Sequence, residues 1–85
     1  MKLNLVYFAW LKQSIGKGNE TVDVPDSVTS VMQLRDWLRS QSGGHGEAFG
    51  KDAVLRAAVN KAIVSDDHTL KDGDEVAFFP PFTGG

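Results

Sequence analysis

The sequence contains no cysteine, which removes disulfide staples, thiolate metal sites and a cysteine nucleophile together. Histidine is scarce, with His45 and His68 the only two, and neither stands at the spacing of a metal motif or a hydrolytic triad. No sign of charge dominates: 9 Lys and Arg against 11 Asp and Glu leave a formal net charge of -2. That balance offers no basic footprint for nucleic acid or an anionic lipid surface, so the expected partners are proteins. Long hydrophobic runs are missing as well. MKLNLVYFAW has one early Lys and an apolar run broken by Asn4, with no small-residue cleavage pattern behind it. It reads as a strand rather than a signal, and no stretch approaches a membrane span. A cytoplasmic, reducing location is the expectation.

Two further stretches suggest chemistry and then withhold it. Asp66-Asp67-His68 with Asp72 and Asp74 fits no metal-loop spacing and reads as a solvated acidic turn; no metal is expected. Gly43-Gly44-His45-Gly46 through Gly50-Lys51 resembles a phosphate loop only superficially, because Asp52 follows where Ser or Thr is needed and no strand precedes it.

What is present describes one small domain. With 85 residues, 41% of them hydrophobic, the chain can hold a single core and has little room for a closed catalytic cleft. From Lys2 to Phe8, Leu3, Leu5 and Tyr7 alternate with Asn4, Val6 and Phe8 as a first strand. A helical turn over Ala9 to Ile15 and a break at Gly16-Lys17-Gly18-Asn19 lead into a second strand, Glu20 to Val24, ended by Pro25. Ser30 and Gln33 form an S-x-x-Q capping box, and Val31, Leu34 and Leu38, widened by Trp37, make the apolar stripe of the main helix. Ser42-Gly43-Gly44 stops that helix, and the segment through Asp52 reads as loop. Leu55, Ala57 and Val59 mark a third strand, a tight turn at Asn60-Lys61 leads to Ala62-Ile63-Val64, Leu70 plugs the core, Asp72-Gly73 turns, and Glu75 to Phe79 is the last strand.

This order predicts an α+β domain, a mixed sheet with one main helix packed on one face. Phe78 and Phe79 must then point to opposite sides. With Val76 and Phe78 facing the helix, Ala77 and Phe79 lie on the open face, where Phe8 and Ile63 are expected to join them. Burying each large apolar side chain is worth roughly 1.5 to 3 kcal/mol, so such a face has reason to meet a partner. Beyond it, Pro80 and Pro81 fix φ and lack backbone donors, which predicts a projecting arm over residues 80–85 after a domain of residues 1–79. Phe82 is an apolar anchor on that arm. Gly84-Gly85, without side chains, suits insertion into a narrow channel and ends in a carboxylate.

AAVNKAIVSDDHTLKDGDEVAFFPPFTGG, from Ala57 to Gly85, strongly resembles the small, sulfur-carrying subunits of molybdopterin synthase, above all in VN, DGDEVAFFPP and the closing TGG. LVYFAWLKQSIG resembles that family's first strand and short helix, and SVMQLRDWL its main helix, while residues 42–52 do not match closely. The resemblance implies a ubiquitin-like β-grasp fold and a function for the tail. Gly85 would be adenylated by a ubiquitin-activating-type adenylyltransferase that uses ATP, then converted to a thiocarboxylate with sulfur from a sulfurtransferase. It would deliver that sulfur to cyclic pyranopterin monophosphate, forming the molybdopterin dithiolene of the molybdenum cofactor. In this picture the large synthase subunit supplies the catalytic pocket, in a heterotetramer of two small and two large subunits, and the small chain holds no permanent cofactor. Gly84 would permit close approach, Pro80, Pro81, Phe82 and Thr83 would position the arm, and Phe8, Ile63 and Phe79 would dock. Competing readings are a protein modifier joined to lysines through Gly85 and a thiamine-type sulfur carrier; PPFTGG favours the first reading over both.

Overall fold

The computed structural model describes residues 1–41, 44–50 and 54–81. β1 (Lys2–Tyr7) runs into α1 (Trp10–Ile15) and returns as β2 (Asn19–Asp23), giving an antiparallel hairpin with Leu3 opposite Val22 and Leu5 opposite Glu20. Gly16 closes α1 at φ 92, where its N–H donates to the Lys12 carbonyl. This left-handed position is one that glycine enters without a Cβ penalty.

The main helix, α2 (Val31–Arg39), begins where the capping box places it. The Ser30 hydroxyl accepts from the Gln33 N–H at 3.3 Å, and the Gln33 side chain accepts from the Ser30 N–H at 3.1 Å. Val31, Leu34 and Leu38 are wholly buried, and Trp37 packs against the same core from its margin.

Residues 42–52, expected to be loop, instead carry a short helix, α3 (Gly44–Ala48), followed by a buried Phe49. Gly46 shows why the pattern misled. A Cβ there would stand 2.9 Å from the Gln41 carbonyl oxygen, so the glycine that reads as a helix breaker lets α3 approach the end of α2. Residues 42, 43, 51 and 52 of that stretch lie outside the described residues.

β3 (Arg56–Val59) and β4 (Ala62–Val64) form a second hairpin around Asn60 and Lys61, whose φ values of 49 and 73 are those of a type I′ turn. β5 (Glu75–Phe79) slots between the hairpins, parallel to β1 and antiparallel to β3, to give the sheet order β2-β1-β5-β3-β4. Leu3, Leu5, Tyr7, Val76, Phe78, Ala57 and Val59 share one core with the buried stripe of α2, together with Leu11, Phe49 and Leu70. The expected α+β architecture is present, a mixed five-stranded sheet with its main helix on one face in the ubiquitin-like β-grasp arrangement.

The acidic turn is structural. An Asp72 side-chain oxygen accepts from the Lys2 N–H at 2.7 Å, and Asp74 accepts from the Lys71 N–H at 2.8 Å and from the Asn60 side chain at 2.9 Å. Among the described residues no helix is long and apolar enough to cross a membrane.

Candidate docking face and tail

Strand alternation decides what the open face of the sheet displays. In β1, Leu3, Leu5 and Tyr7 point into the core, which turns Asn4 and Val6 outward; in β5, Val76 and Phe78 point in, which turns Glu75, Ala77 and Phe79 outward. Register then aligns the outward residues across strands. Val6 is opposite Ala77, Ala77 opposite Ala58, and Ala58 opposite Ile63, a continuous apolar line over β1, β5, β3 and β4. One step further along, Phe79 is opposite Arg56, and the Phe8 N–H donates to the Phe78 carbonyl at 3.3 Å, extending the β1–β5 ladder past the end of β1.

The structure therefore places Phe8, Ile63 and Phe79 on the same face. Phe8 is 50% exposed and Ile63 67% exposed, while Phe79 is half-buried. Phe8 and Phe79 are neighbours on adjacent strands, whereas Ile63 lies two strands from β5, about 10 Å away by ordinary strand spacing. Between them Val6, Ala77 and Ala58 form a floor of smaller side chains. Sequence reading named the three large residues and Ala77 but not Val6 or Ala58 as parts of this surface, although their parity in the strands was visible.

Pro80 and Pro81, half-buried and outside any strand, continue from β5 at the edge of this face. The expectations for Phe82, Thr83, Gly84 and Gly85 lie outside the described residues.

A second group of polar side chains lies toward the core side and joins α3 to the β1–β2 hairpin. The Tyr7 hydroxyl donates to Glu20 Oε2 at 2.6 Å, the His45 Nε2 lies 2.5 Å from the same oxygen, and Lys17 Nζ is 3.5 Å from Glu20 Oε1. Burial pushes the Tyr7 phenol far up, and the hydrogen bond to Glu20 and its negative charge push the same way. Burial also favours the neutral form of Glu20, but hydrogen bonds from His45 and Tyr7 and the charges of His45 and Lys17 outweigh it and hold the carboxyl below its ordinary range. Edge-to-face rings extend the link inward, from His45 to Tyr7, from Tyr7 to Phe49, and from Phe49 to Phe78 at 5.0 Å. The cluster fastens α3 to the sheet. Glu20 and His45 are 25 residues apart, and no local pattern announces the pair.

The fold is that of the ubiquitin-like β-grasp proteins. The ThiS family model matches residues 5–85, and the chain belongs to that family. It is 41% identical to the molybdopterin synthase sulfur carrier subunit of Escherichia coli, an alignment that spans 98% of this chain and 99% of its relative. Among solved structures, small archaeal modifier protein 1 of H. volcanii superposes with a TM-score of 0.75 at 26% identity, covering 94% of this chain and 97% of that one. A complex of subunits 1 and 2 of the molybdopterin-converting factor from Helicobacter pylori matches in fold, with a TM-score of 0.66 at 24% identity and full coverage of both chains.

Proposed function

We propose that this chain is the sulfur carrier subunit of molybdopterin synthase and acts in molybdenum cofactor biosynthesis. The observation that carries the proposal is the 41% identity to the E. coli sulfur carrier from one end to the other. The apolar face supports it, because a chain that presents its terminus to another protein's active site needs a surface to dock there. The large synthase subunit is the proposed occupant of that face, in keeping with the complex of two subunits from Helicobacter pylori, and the assembly is proposed as two small and two large subunits. Phe8, Ile63 and Phe79 are its contacts; Pro80, Pro81, Phe82 and Thr83 position the arm.

The chemistry proposed for Gly85 follows from the weakness of a carboxylate as an acyl donor. An activating adenylyltransferase lets a Gly85 carboxylate oxygen attack the α-phosphorus of ATP, releasing pyrophosphate and leaving an acyl-adenylate. Sulfide, released from a sulfurtransferase persulfide by a thiol reductant, attacks the carbonyl carbon and displaces AMP, giving the thiocarboxylate. In the large subunit that sulfur bonds to a side-chain carbon of cyclic pyranopterin monophosphate as a carbon–oxygen bond of the substrate breaks. Water cleaves the resulting acyl–sulfur bond and returns the Gly85 carboxylate, and two such carriers supply the two dithiolene sulfurs. Gly84 leaves room for the terminus in both active sites. ATP and sulfur pass through the site without a resident cofactor, and the setting is cytoplasmic.

The test is intact-mass analysis after incubation with the activating enzyme, ATP and a sulfur source. One oxygen replaced by sulfur at Gly85 is expected, and deleting Gly85 abolishes both that change and dithiolene formation with the purified large subunit while the fold persists. The likeness to small archaeal modifier protein 1 favours a second reading, a protein modifier. Conjugates to lysine formed without a thiocarboxylate species would select it.

A further inference from the structure

β3 lies between β5 and β4, and Arg56 is its outward residue nearest the tail. Register sets Arg56 directly opposite Phe79 on β5, with about 5 Å between their Cβ atoms by ordinary sheet geometry. On the other side Ala58 is opposite Ile63, which makes Ile63 the diagonal neighbour of Arg56 at roughly 7 to 8 Å. The two large apolar residues therefore flank the arginine, and a partner seated on both of them passes over it. Arg56 is exposed. The other arginines are engaged within the domain, Arg35 at 3.3 Å from Asp66 and Arg39 at 2.6 Å from Asp36. Among the described residues Arg56 has no such carboxylate.

The geometry points to Arg56 as a specificity-determining residue of the docking face, one that selects a large subunit carrying a carboxylate opposite it. Closing an interface over Phe79 and Ile63 strips water from the guanidinium between them, and a charge desolvated without a counter-ion is costly. A carboxylate meets that need best, because the planar guanidinium offers it two parallel N–H donors. Phe79 and Ile63 supply affinity but discriminate little among apolar surfaces. Arg56 rejects a surface that brings a cation, or no acceptor at all, to that point. The pairing rests on the open face being the surface that meets the large synthase subunit.

The experiment is calorimetric titration of the full chain against the purified large subunit, with thermal unfolding as the check on folding. Arg56→Met keeps an unbranched stem and removes the charge. Facing a carboxylate, it is expected to weaken binding about tenfold or more. Facing an apolar or solvent-filled surface, it would bind as tightly as the wild type or more so, and that outcome overturns the assignment. Arg56→Glu sets like charges together and is expected to bind about a hundredfold more weakly, or worse. Because the side chain is exposed, both variants should unfold at the wild-type midpoint. Single lysine replacements of the large subunit's acidic surface residues complete the cycle. One of them should bind Arg56→Glu more tightly than it binds the wild type, and the absence of any such exchange of preference also overturns the assignment. Phe79→Ala is the control on the underlying reading. If it weakens binding while Arg56→Met does not, the open face still docks and only the role of Arg56 falls; if Phe79→Ala binds like the wild type, or the wild type fails to bind, both fall.

Discussion

On the helix-packed face of the sheet Leu3, Leu5, Tyr7, Val76 and Phe78 are at most 2% exposed, whereas on the opposite face Phe8 and Ile63 stand 50% and 67% exposed. The two sets are separated by single steps along the chain: Phe8 follows the buried Tyr7, and Ile63 precedes Val64, which packs against the core. A domain this small has one core, and alternation with period two allows each strand to give half its side chains to that core and half to a partner. Stability and recognition are then separable by parity, most sharply at Phe78 and Phe79. The largest expected effect tests that separation. Phe78 is wholly buried with its ring edge-on to Phe49, so Phe78→Ala should lower unfolding free energy by about 3 to 5 kcal/mol. A domain of this length has only roughly 4 to 13 kcal/mol in total. Phe79→Ala should change stability by about 1 kcal/mol or less, yet weaken the large-subunit complex by about 2 kcal/mol or more if the ring is an interface hot spot. Denaturant melts and calorimetric titration of both variants check the pair. Equal losses of stability would break the division between the faces.

A smaller effect concerns how the core side is closed. Glu20 is held below its ordinary pKa of 4.5 by His45, Tyr7 and Lys17, against the opposing effect of burial. A carboxyl depressed in the folded state contributes stability that is present above its unfolded pKa and lost as pH falls through the folded value. Thermal midpoints of the wild type should therefore drop from about pH 5 downward more steeply than those of Glu20→Gln. His45→Ala should flatten the same slope, because the first of the lowering interactions is gone. The open face contains no counterpart of this cluster among the described residues, so affinity measured through Phe79 should not follow that slope. If Glu20→Gln retains the full acid slope, the α3 fastening is not what titrates.

Much of this architecture could be read from short patterns, because the physics behind them is local. The capping box at Ser30 and Gln33 depends on residues three apart, the Asp72-Gly73 turn on neighbours, and the opposite orientation of Phe78 and Phe79 on the pleat alone. The membership of Phe8, Ile63 and Phe79 on one face follows from parity once the strands are placed. Their spacing does not, since it depends on β5 inserting between the two hairpins. Residues 44–50 were illegible for a different reason. Glycines there signal a loop when only φ and ψ are considered, but Gly46 serves a close approach to the Gln41 carbonyl, a tertiary fact. The Glu20–His45 pair spans the chain in the same way, and the positive φ of Ala9 contradicts what its residue type suggests.

The smallest expected effect lies at Lys61, in the turn that carries Ile63 outward. Asn60 is bolted to the neighbouring strand: its N–H donates to the Glu75 carbonyl at 2.8 Å, its side-chain oxygen accepts from the Glu75 N–H at 3.0 Å, and its amide donates to Asp74. Asparagine tolerates positive φ at the first central position of a type I′ turn, but the second, where Lys61 has φ 73, is a favoured glycine site. Lys61→Gly should relieve that strain while giving the unfolded chain more freedom. The two effects oppose each other, and relief should win by about 0.5 kcal/mol because the left-handed conformation costs a side chain about 1 to 2 kcal/mol. The pairing of Ala58 with Ile63 and of Ala57 with Val64 keeps the register, so Ile63 stays on the open face. Denaturant unfolding should show a slightly more stable protein, and titration against the large subunit an unchanged Kd. Weaker binding would mean that the turn sets the position of Ile63 more tightly than the strand pairing does.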